Sequence, residues 1–258
     1  MVFLSRDPLV PDDVHIWYLV TELLDDDAVK AAVALLSDDE RARFGRFVFA
    51  RDRRDFAAAH ALVRRTLSAY EEVSPEAWTF ESTAGGKPFL TPSQAGSPPL
   101  TFNLSHTRGL VACAVGREAD LGIDVEQIDL LADRRDLARR FFAPVENALL
   151  DDTPAALRAA RLTELWTLKE AFLKATGAGL ARPLEEFGFS YTGAQGIRFD
   201  APADTDADRW TFALFGPTSS ARLAVAIRFN RPVRHIVARA DGGLERLRPL
   251  RATENALP

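Results

Sequence analysis

The chain has 258 residues, 47% of them hydrophobic, with a formal net charge of −5 and a sequence pI of about 5.5. That length and composition suit a folded protein of one or two domains and exclude a disordered chain. The acidic balance argues against nonspecific nucleic-acid binding, and one cysteine, Cys113, excludes an internal disulfide.

The opening stretch MVFLSRDPLVPDDVHIW lacks the basic and apolar regions of a secretion signal. No apolar run approaches the ~20 residues of a membrane span. A cytoplasmic protein without a membrane partner is therefore expected. The four histidines, at 15, 60, 106 and 235, show no zinc-like spacing.

In chain order, HIWYLV (15–20) reads as a strand, being aromatic and β-branched. Ser37-Asp38-Asp39-Glu40 reads as a helix start, a serine cap followed by acids. A basic helix is predicted from Arg41 to Tyr70. Between 41 and 65 it carries eight arginines against Asp52 and Asp55, a local positive field in an acidic protein. STAGGKPFL (82–90) is a glycine turn leading to Lys87-Pro88, and TPSQAGSPP (91–99) is a loop by composition. LTFNLSHT (100–107), GLVACAV (109–115) and ADLGIDVE (119–126) read as strands. RRDLARRFFAPVENALL (134–150) and AALRAARLTELWTLKEAFLKATG (155–177) read as helices, the second ending at Gly177 or Gly179. Short strands follow, including RWTFALF (209–215) and RLAVAIRF (222–229), and the last ~15 residues read as a frayed tail. Both halves mix helices and strands, which suggests a pseudo-duplicated α+β chain.

Asp124 and Glu126 raise the first chemical question. Alternation puts Leu121, Ile123 and Val125 on one strand face, and Gly122, Asp124 and Glu126 on the other. Two carboxylates on one face repel unless a cation lies between them, and Gly122 beside them would leave room for a ligand. A hard cation such as Mg²⁺ takes one or two carboxylates with phosphate oxygens. A solvated strand edge is the plain alternative.

On the 155–177 helix, Leu162, Leu165, Trp166, Leu168, Phe172 and Leu173 form an apolar arc. Glu170 and Lys174 are i,i+4 neighbours at its edge, where an ordinary surface salt bridge would also fit. Lys169 falls inside the arc and must snorkel, pair with an acid, or face a charged ligand. Trp166 reads as core. A third acid and a lysine beside Asp124 and Glu126 would make a phosphate-handling metal site. Asn103, Ser105 and His106 stand at a strand end as potential phosphate donors, although a capped turn histidine is the plainer reading of His106 alone.

Together, FNLSH (102–106), GIDVE (122–126) and WTLKEAFLKATGAGL (166–180) resemble the signature of Sfp-type 4′-phosphopantetheinyl transferases. AGGKPFL, FVFARDRRDFAAAHALVRRTL and RRFFAPVENALL match further family segments, so the resemblance runs from about residue 40 to 190. It implies an α+β pseudo-dimer of two similar α/β lobes with the active site at their interface. The expected divisions are 1–118 (N-terminal lobe), 119–230 (C-terminal lobe) and 231–258, an extension packing on the first lobe or partly disordered. One chain suffices in this class, so a monomer is expected.

The resemblance implies transfer of the phosphopantetheine arm of coenzyme A to a serine of an apo carrier protein, an acyl or peptidyl carrier domain, releasing 3′,5′-ADP. Such carriers serve nonribosomal peptide, polyketide or fatty-acid synthesis. By position, Asp124, Glu126 and Glu170 match the ligands of Mg²⁺, with Mn²⁺ as the alternative ion. Lys174, His106 and Ser105 match contacts to the coenzyme A phosphates, and Lys87 a contact near the 3′-phosphoadenosine end. Arg51 and Arg54 are both candidates for the 3′-phosphate, while Asp55 takes the slot at the strictest spacing. Glu126, Glu170 and Lys174 are the expected catalytic groups, either carboxylate able to accept the serine proton. Arg134, Arg135, Arg139 and Arg140, near Leu130, Leu131, Phe141 and Phe142, suit an acidic, partly apolar carrier helix as well as an ordinary amphipathic helix. The rival functions are another Mg²⁺-dependent phosphoryl-transfer enzyme and a non-catalytic coenzyme A or carrier-binding module.

Overall fold

The computed structural model describes residues 8–83, 85–177, 179, 182–229, 233, 235–240 and 246–254. Strand β1 (Asp13–Val20) buries Val14 and Ile16 on one face and Trp17 and Leu19 on the other, as a strand covered on both sides must. Helix α1 (Asp26–Ala34) is capped by Asp25, whose carboxylate accepts from Ala28 N at 2.8 Å. Helix α2 (Asp38–Phe44) opens with a reciprocal Ser37–Glu40 capping box. Helix α3 spans Ala50–Ser68.

The single basic helix expected from 41 to 70 is therefore two helices. The chain turns through 45–49, beginning at Gly45, a poor helix former. The fold-back lets Glu40 reach His60 and Arg64. In one straight helix, residues 40 and 60 would lie ~30 Å apart.

A small ribbon, β2 (Phe80–Ser82) and β3 (Pro88–Leu90), precedes three longer strands: β4 (Leu100–Thr107), β5 (Leu110–Arg117) and β6 (Asp120–Gln127). Helices α4 (Ile128–Leu131), α5 (Arg135–Phe141), α6 (Pro144–Asp152) and α7 (Arg158–Thr176) follow. The helix expected over 134–150 breaks between α5 and α6. Pro144 disfavours helical geometry at Ala143, which adopts φ −60°, ψ 152°. Strands β7 (Gly188–Thr192), β8 (Gly196–Asp200), β9 (Trp210–Phe215), β10 (Ala221–Arg228), β11 (His235–Ala240), β12 (Arg246–Leu247) and β13 (Arg251–Ala252) complete the described chain.

The strands form two principal sheets, ordered β12-β11-β1-β5-β4 and β6-β10-β9-β13-β8-β7. The architecture is α+β with two sheet-based lobes. A 19-residue helix covers the outer face of each sheet, α3 on the first and α7 on the second. Their inner faces share one core, where Val14, Ile16 and Ala112 meet Ile123, Val125 and Val225. Beneath α7, Phe172 packs 4.7 Å from Phe187, 5.1 Å from Phe199 and 4.7 Å from Trp210, ring centre to ring centre.

The tail is not frayed over its described part. Arg246–Leu247 pairs with β11, and Arg251–Ala252 lies between β8 and β9. Backbone groups there join ladders instead of water. Residues 231–232, 234, 241–245 and 255–258 of the expected extension lie outside the described residues, as do Ala178 and Leu180 of the second helix motif. No helix among the described residues is long and apolar enough to cross a membrane.

Candidate active site

The two sheets meet edge to edge at β4 and β6, and side chains bridge the seam. Asn103 Oδ1 accepts from Ile123 N at 2.8 Å, and Ser105 Oγ from Val125 N at 3.3 Å. Thr107 Oγ1 donates to Glu126 Oε2 at 3.1 Å. Alternation puts Asn103, Ser105 and Thr107 on one face of β4, which that seam uses. Asn103 and Ser105 are thus buried bridge residues, a role the sequence reading missed although the period-two pattern FNLSHT carried its signal.

Gly122 serves a different purpose from the one expected. A Cβ there would lie 1.9 Å from Ala171 O and 2.4 Å from Ala175 N. The space beside Asp124 is filled by the backbone of α7, not kept for a ligand. This close approach carries Glu170 and Lys174 to the acids of β6. Lys174 Nζ lies 2.6 Å from Asp124 Oδ1 and donates to Ser105 Oγ at 2.9 Å, while Ser105 Oγ donates to the same Oδ1 at 3.0 Å. Lys174 therefore reaches across to β6 and does not form the surface pair with Glu170.

The acids feel one another. Burial first, then the charge of Asp124, raises the Glu126 carboxyl to about 7, against the Thr107 hydrogen bond and Lys174. Burial and Asp124 also raise Glu170, opposed by Lys174. Asp124 from β6 and Glu170 from α7 thus share one electrostatic site.

Among the described residues, no group of three His, Cys, Asp or Glu side chains stands ready-assembled to hold a metal ion. The donor chemistry nevertheless fits one. Asp124 Oδ2 is buried without a hydrogen-bond partner, and burial together with the charge of Asp124 raises the proton affinity of Glu126 and of Glu170, a repulsion that a hard divalent cation would relieve. Lys174 already supplies one positive charge to this cluster.

A cleft of about 280 Å³ opens beside it, lined by Lys87, Asn103, Leu104, Glu170, Lys174 and Gly177 among others. Lys87 Nζ donates to Leu121 O at 2.9 Å and Ala175 O at 3.3 Å, tying the β3 ribbon to the end of α7. Helix α7 stops at Gly177, which is left-handed at φ 70°. Across Lys87 lies a larger, mainly apolar cavity of about 550 Å³, lined by Phe89, Leu100, Phe102 and Leu121. Its acid, Asp120, is ion-paired to Arg228, whereas Glu170 and Lys174 line the smaller cleft.

His106 projects from the opposite face of β4 and remains open to solvent. Its ring is nevertheless lowered in proton affinity, by partial burial and then by Lys174. On α3, Arg51 is exposed, 3.3 Å from Asp52 and stacked over Phe49 at 5.4 Å. Arg54 is half-buried, with Nε lacking a partner. Asp55 is structural: it accepts from Thr21 Oγ1, and from Gly109 N at 3.0 Å.

Lys169 is wholly buried and pairs with Glu146 at 2.8 Å. Its remaining protons go to Leu184 O and Phe187 O, each at 2.7 Å. Of the roles open to it, pairing with an acid is the one observed; Glu146 as the partner was not foreseen. Trp166 stacks on Phe142 with ring centres 6.2 Å apart, at the margin of the core.

Two family models match the chain: "4′-phosphopantetheinyl transferase, N-terminal" over residues 25–118 and "4′-phosphopantetheinyl transferase superfamily" over 120–227. The chain is 36% identical over 220 residues to 4′-phosphopantetheinyl transferase HetI of a Nostoc species, covering 85% of this chain and 89% of that one. It is 35% identical over 155 residues to 4′-phosphopantetheinyl transferase psf-1 of Bacillus pumilus, covering 59% and 62% respectively. A solved structure of Thermotoga maritima holo-[acyl-carrier-protein] synthase matches 43% of this chain and 64% of that one, with 20% identity and a TM-score of 0.36.

Proposed function

Since the chain belongs to the 4′-phosphopantetheinyl transferases of the two-lobed Sfp type, we propose that it moves the phosphopantetheine group of coenzyme A onto a serine of an apo carrier protein. The reading of the site rests on one observation: Asp124, Glu126, Glu170 and Lys174, from β6 and α7, converge beside a cleft at the lobe seam.

In this reading the diphosphate of coenzyme A lies in the cleft. Asp124, with Glu126 and Glu170, would hold Mg²⁺, which when bound supplies charge neutralisation to the diphosphate oxygens. Lys174, steadied by Ser105, adds a fixed ammonium where charge develops. His106, exposed on β4 and lowered in proton affinity by partial burial and Lys174, would add a hydrogen bond to a phosphate oxygen. Arg51 and Arg54 would meet the 3′-phosphate, and the unpartnered Arg54 Nε supports a role for that residue. Lys87 closes the adenosine end while holding β6 and α7 together.

The serine oxygen attacks the phosphorus that bears the pantetheine arm. The bond from that phosphorus to the bridging oxygen breaks, and 3′,5′-ADP leaves with the electron pair. The serine proton passes to a carboxylate. Glu126 and Glu170, both raised by burial and by Asp124, are the two candidates to accept it.

The carrier would dock beside Glu126, where α4 begins two residues later. Leu130 and Phe141 are 42% and 37% exposed, Phe142 is core, and Arg139 and Arg140 stand exposed around them. An acidic helix with apolar contacts suits that surface. The deciding experiment incubates the protein with coenzyme A, Mg²⁺ and a panel of apo carriers, read by mass spectrometry. Addition of one phosphopantetheine with release of 3′,5′-ADP is expected. Release of inorganic phosphate, or no modified carrier across the panel, would overturn the reading.

A further inference from the structure

A second concentration of charge lies along α7, away from the cleft. Glu164 Oε1 accepts from Arg222 Nε at 3.3 Å, and Oε2 from the Tyr191 hydroxyl at 3.3 Å. Arg161 Nη1 lies 3.0 Å from the same Oε2. Arg161 and Arg251 both lie over the Tyr191 ring, at 4.4 and 4.1 Å from its centre. Tyr191 stays a neutral phenol, since burial and Glu164 push its proton affinity up.

Two guanidiniums thus share the Glu164 carboxylate and a third, Arg251, sits on the tyrosine ring that donates to it, so that among these contacts three positive charges face one negative. Arg161 Nε and Arg251 Nη1 are buried and have no hydrogen-bond partner. Unpaired buried donors on like-charged groups are costly unless an anion answers them. Guanidinium forks match the oxygens of a phosphoryl group, and a dianion matches the charge excess.

We propose that Arg161, Arg222 and Arg251 form a binding site for a dianionic phosphoryl group, distinct from the coenzyme A cleft. Glu164 and Glu170 are separated by ~9 Å along the helix, and Arg222 stands opposite Glu126 in the β6–β10 ladder. An anion there would pin β13, the two-residue strand of the tail, to α7 and β10 at the far end of the acid cluster. The phosphoryl group could arrive as the free ion or on a small monoester, and the two sources separate experimentally.

The test is thermal unfolding of the full chain with about 20 mM inorganic phosphate or glycerol 3-phosphate against sodium chloride of equal ionic strength. A saturable rise of about 3 °C is expected in the wild type. Arg161→Gln and Arg251→Gln should each abolish it, and Lys174→Gln, which alters the cleft, should retain it. A response to both compounds identifies a phosphomonoester site; a response to phosphate alone identifies a free-ion site. No phosphate-specific rise in the wild type would overturn the proposal. So would a rise that survives both arginine variants, or one that disappears in Lys174→Gln. If neither arginine variant folds, a ³¹P titration of the wild type saturated with coenzyme A decides, and absence of saturable phosphate binding rejects the site.

Discussion

Gly122 and Ala171 meet backbone to backbone: the missing Cβ of Gly122 would stand 1.9 Å from Ala171 O. No side chain can yield there, because both partners are main chain of packed elements. Gly122→Ala should push α7 off β6, with overpacking of about 3 kcal/mol. Because Lys174 and Glu170 ride on α7, carrier modification should fall more than a mere stability loss explains. Urea unfolding and turnover, both measured where the variant is still folded, check this. Wild-type activity in a folded Gly122→Ala would show that the contact does not position the cluster.

Asp124→Asn keeps the shape of the side chain and one acceptor for Lys174, but removes the charge. Turnover should drop by about 100-fold or more, as when a preorganised electrostatic group is lost. Circular dichroism should be unchanged. Treatment with a chelator should silence the wild type, and added Mg²⁺ should restore it. Persistent turnover in metal-free buffer would remove Mg²⁺ from the account.

Lys169 and Glu146 test whether a fully buried ion pair organises this lobe. Burial raises the Glu146 carboxyl to about 7, against its bonds to Lys169, Ala143 N and Phe189 N. Lys169→Met strands that acid among the phenylalanines and should destabilise by about 3–5 kcal/mol. Lys169→Met with Glu146→Leu should recover part of the loss in urea unfolding. An additive double variant would mean that the two residues do not act as a pair.

Glu40 supplies a pH signature on the other lobe. Burial works to raise its carboxyl, but bonds from His60, Ser37 N and Arg64 prevail and hold it down, from 4.5 to about 2. Because the folded value lies below the unfolded one, this stabilisation is complete above about pH 5 and is lost as pH falls toward 2. Glu40→Gln should remove about 1–2 kcal/mol at neutral pH and flatten the stability curve between those limits. An unchanged acid limb would place the titration elsewhere.

Much of the fold was legible along the chain. The runs 100–107, 109–115 and 119–126 read as strands because their β-branched and aromatic content is local, and they became β4, β5 and β6. Helix α7 ends at Gly177, one of two expected stops. The breaks at 45–49 and 142–143 were not read. The first begins at Gly45, a weak local signal, and is fixed by Glu40 meeting His60 and Arg64, a long-range pairing; the second was signalled locally by Pro144.

Sequence alone determined the family, through its motifs, and marked the candidate residues: an acid pair on one strand face, and an acid and a lysine one turn apart on a helix. Only the tertiary structure decided how these pieces meet. The contact between Gly122 and α7, the Asn103 and Ser105 bridges across two sheet edges, and the turn of Lys174 toward Asp124 all join segments distant along the chain. Periodicity specifies which face a residue occupies within its own element. It is silent on which element covers that face, because the covering depends on packing and on satisfying buried polar groups across the whole chain.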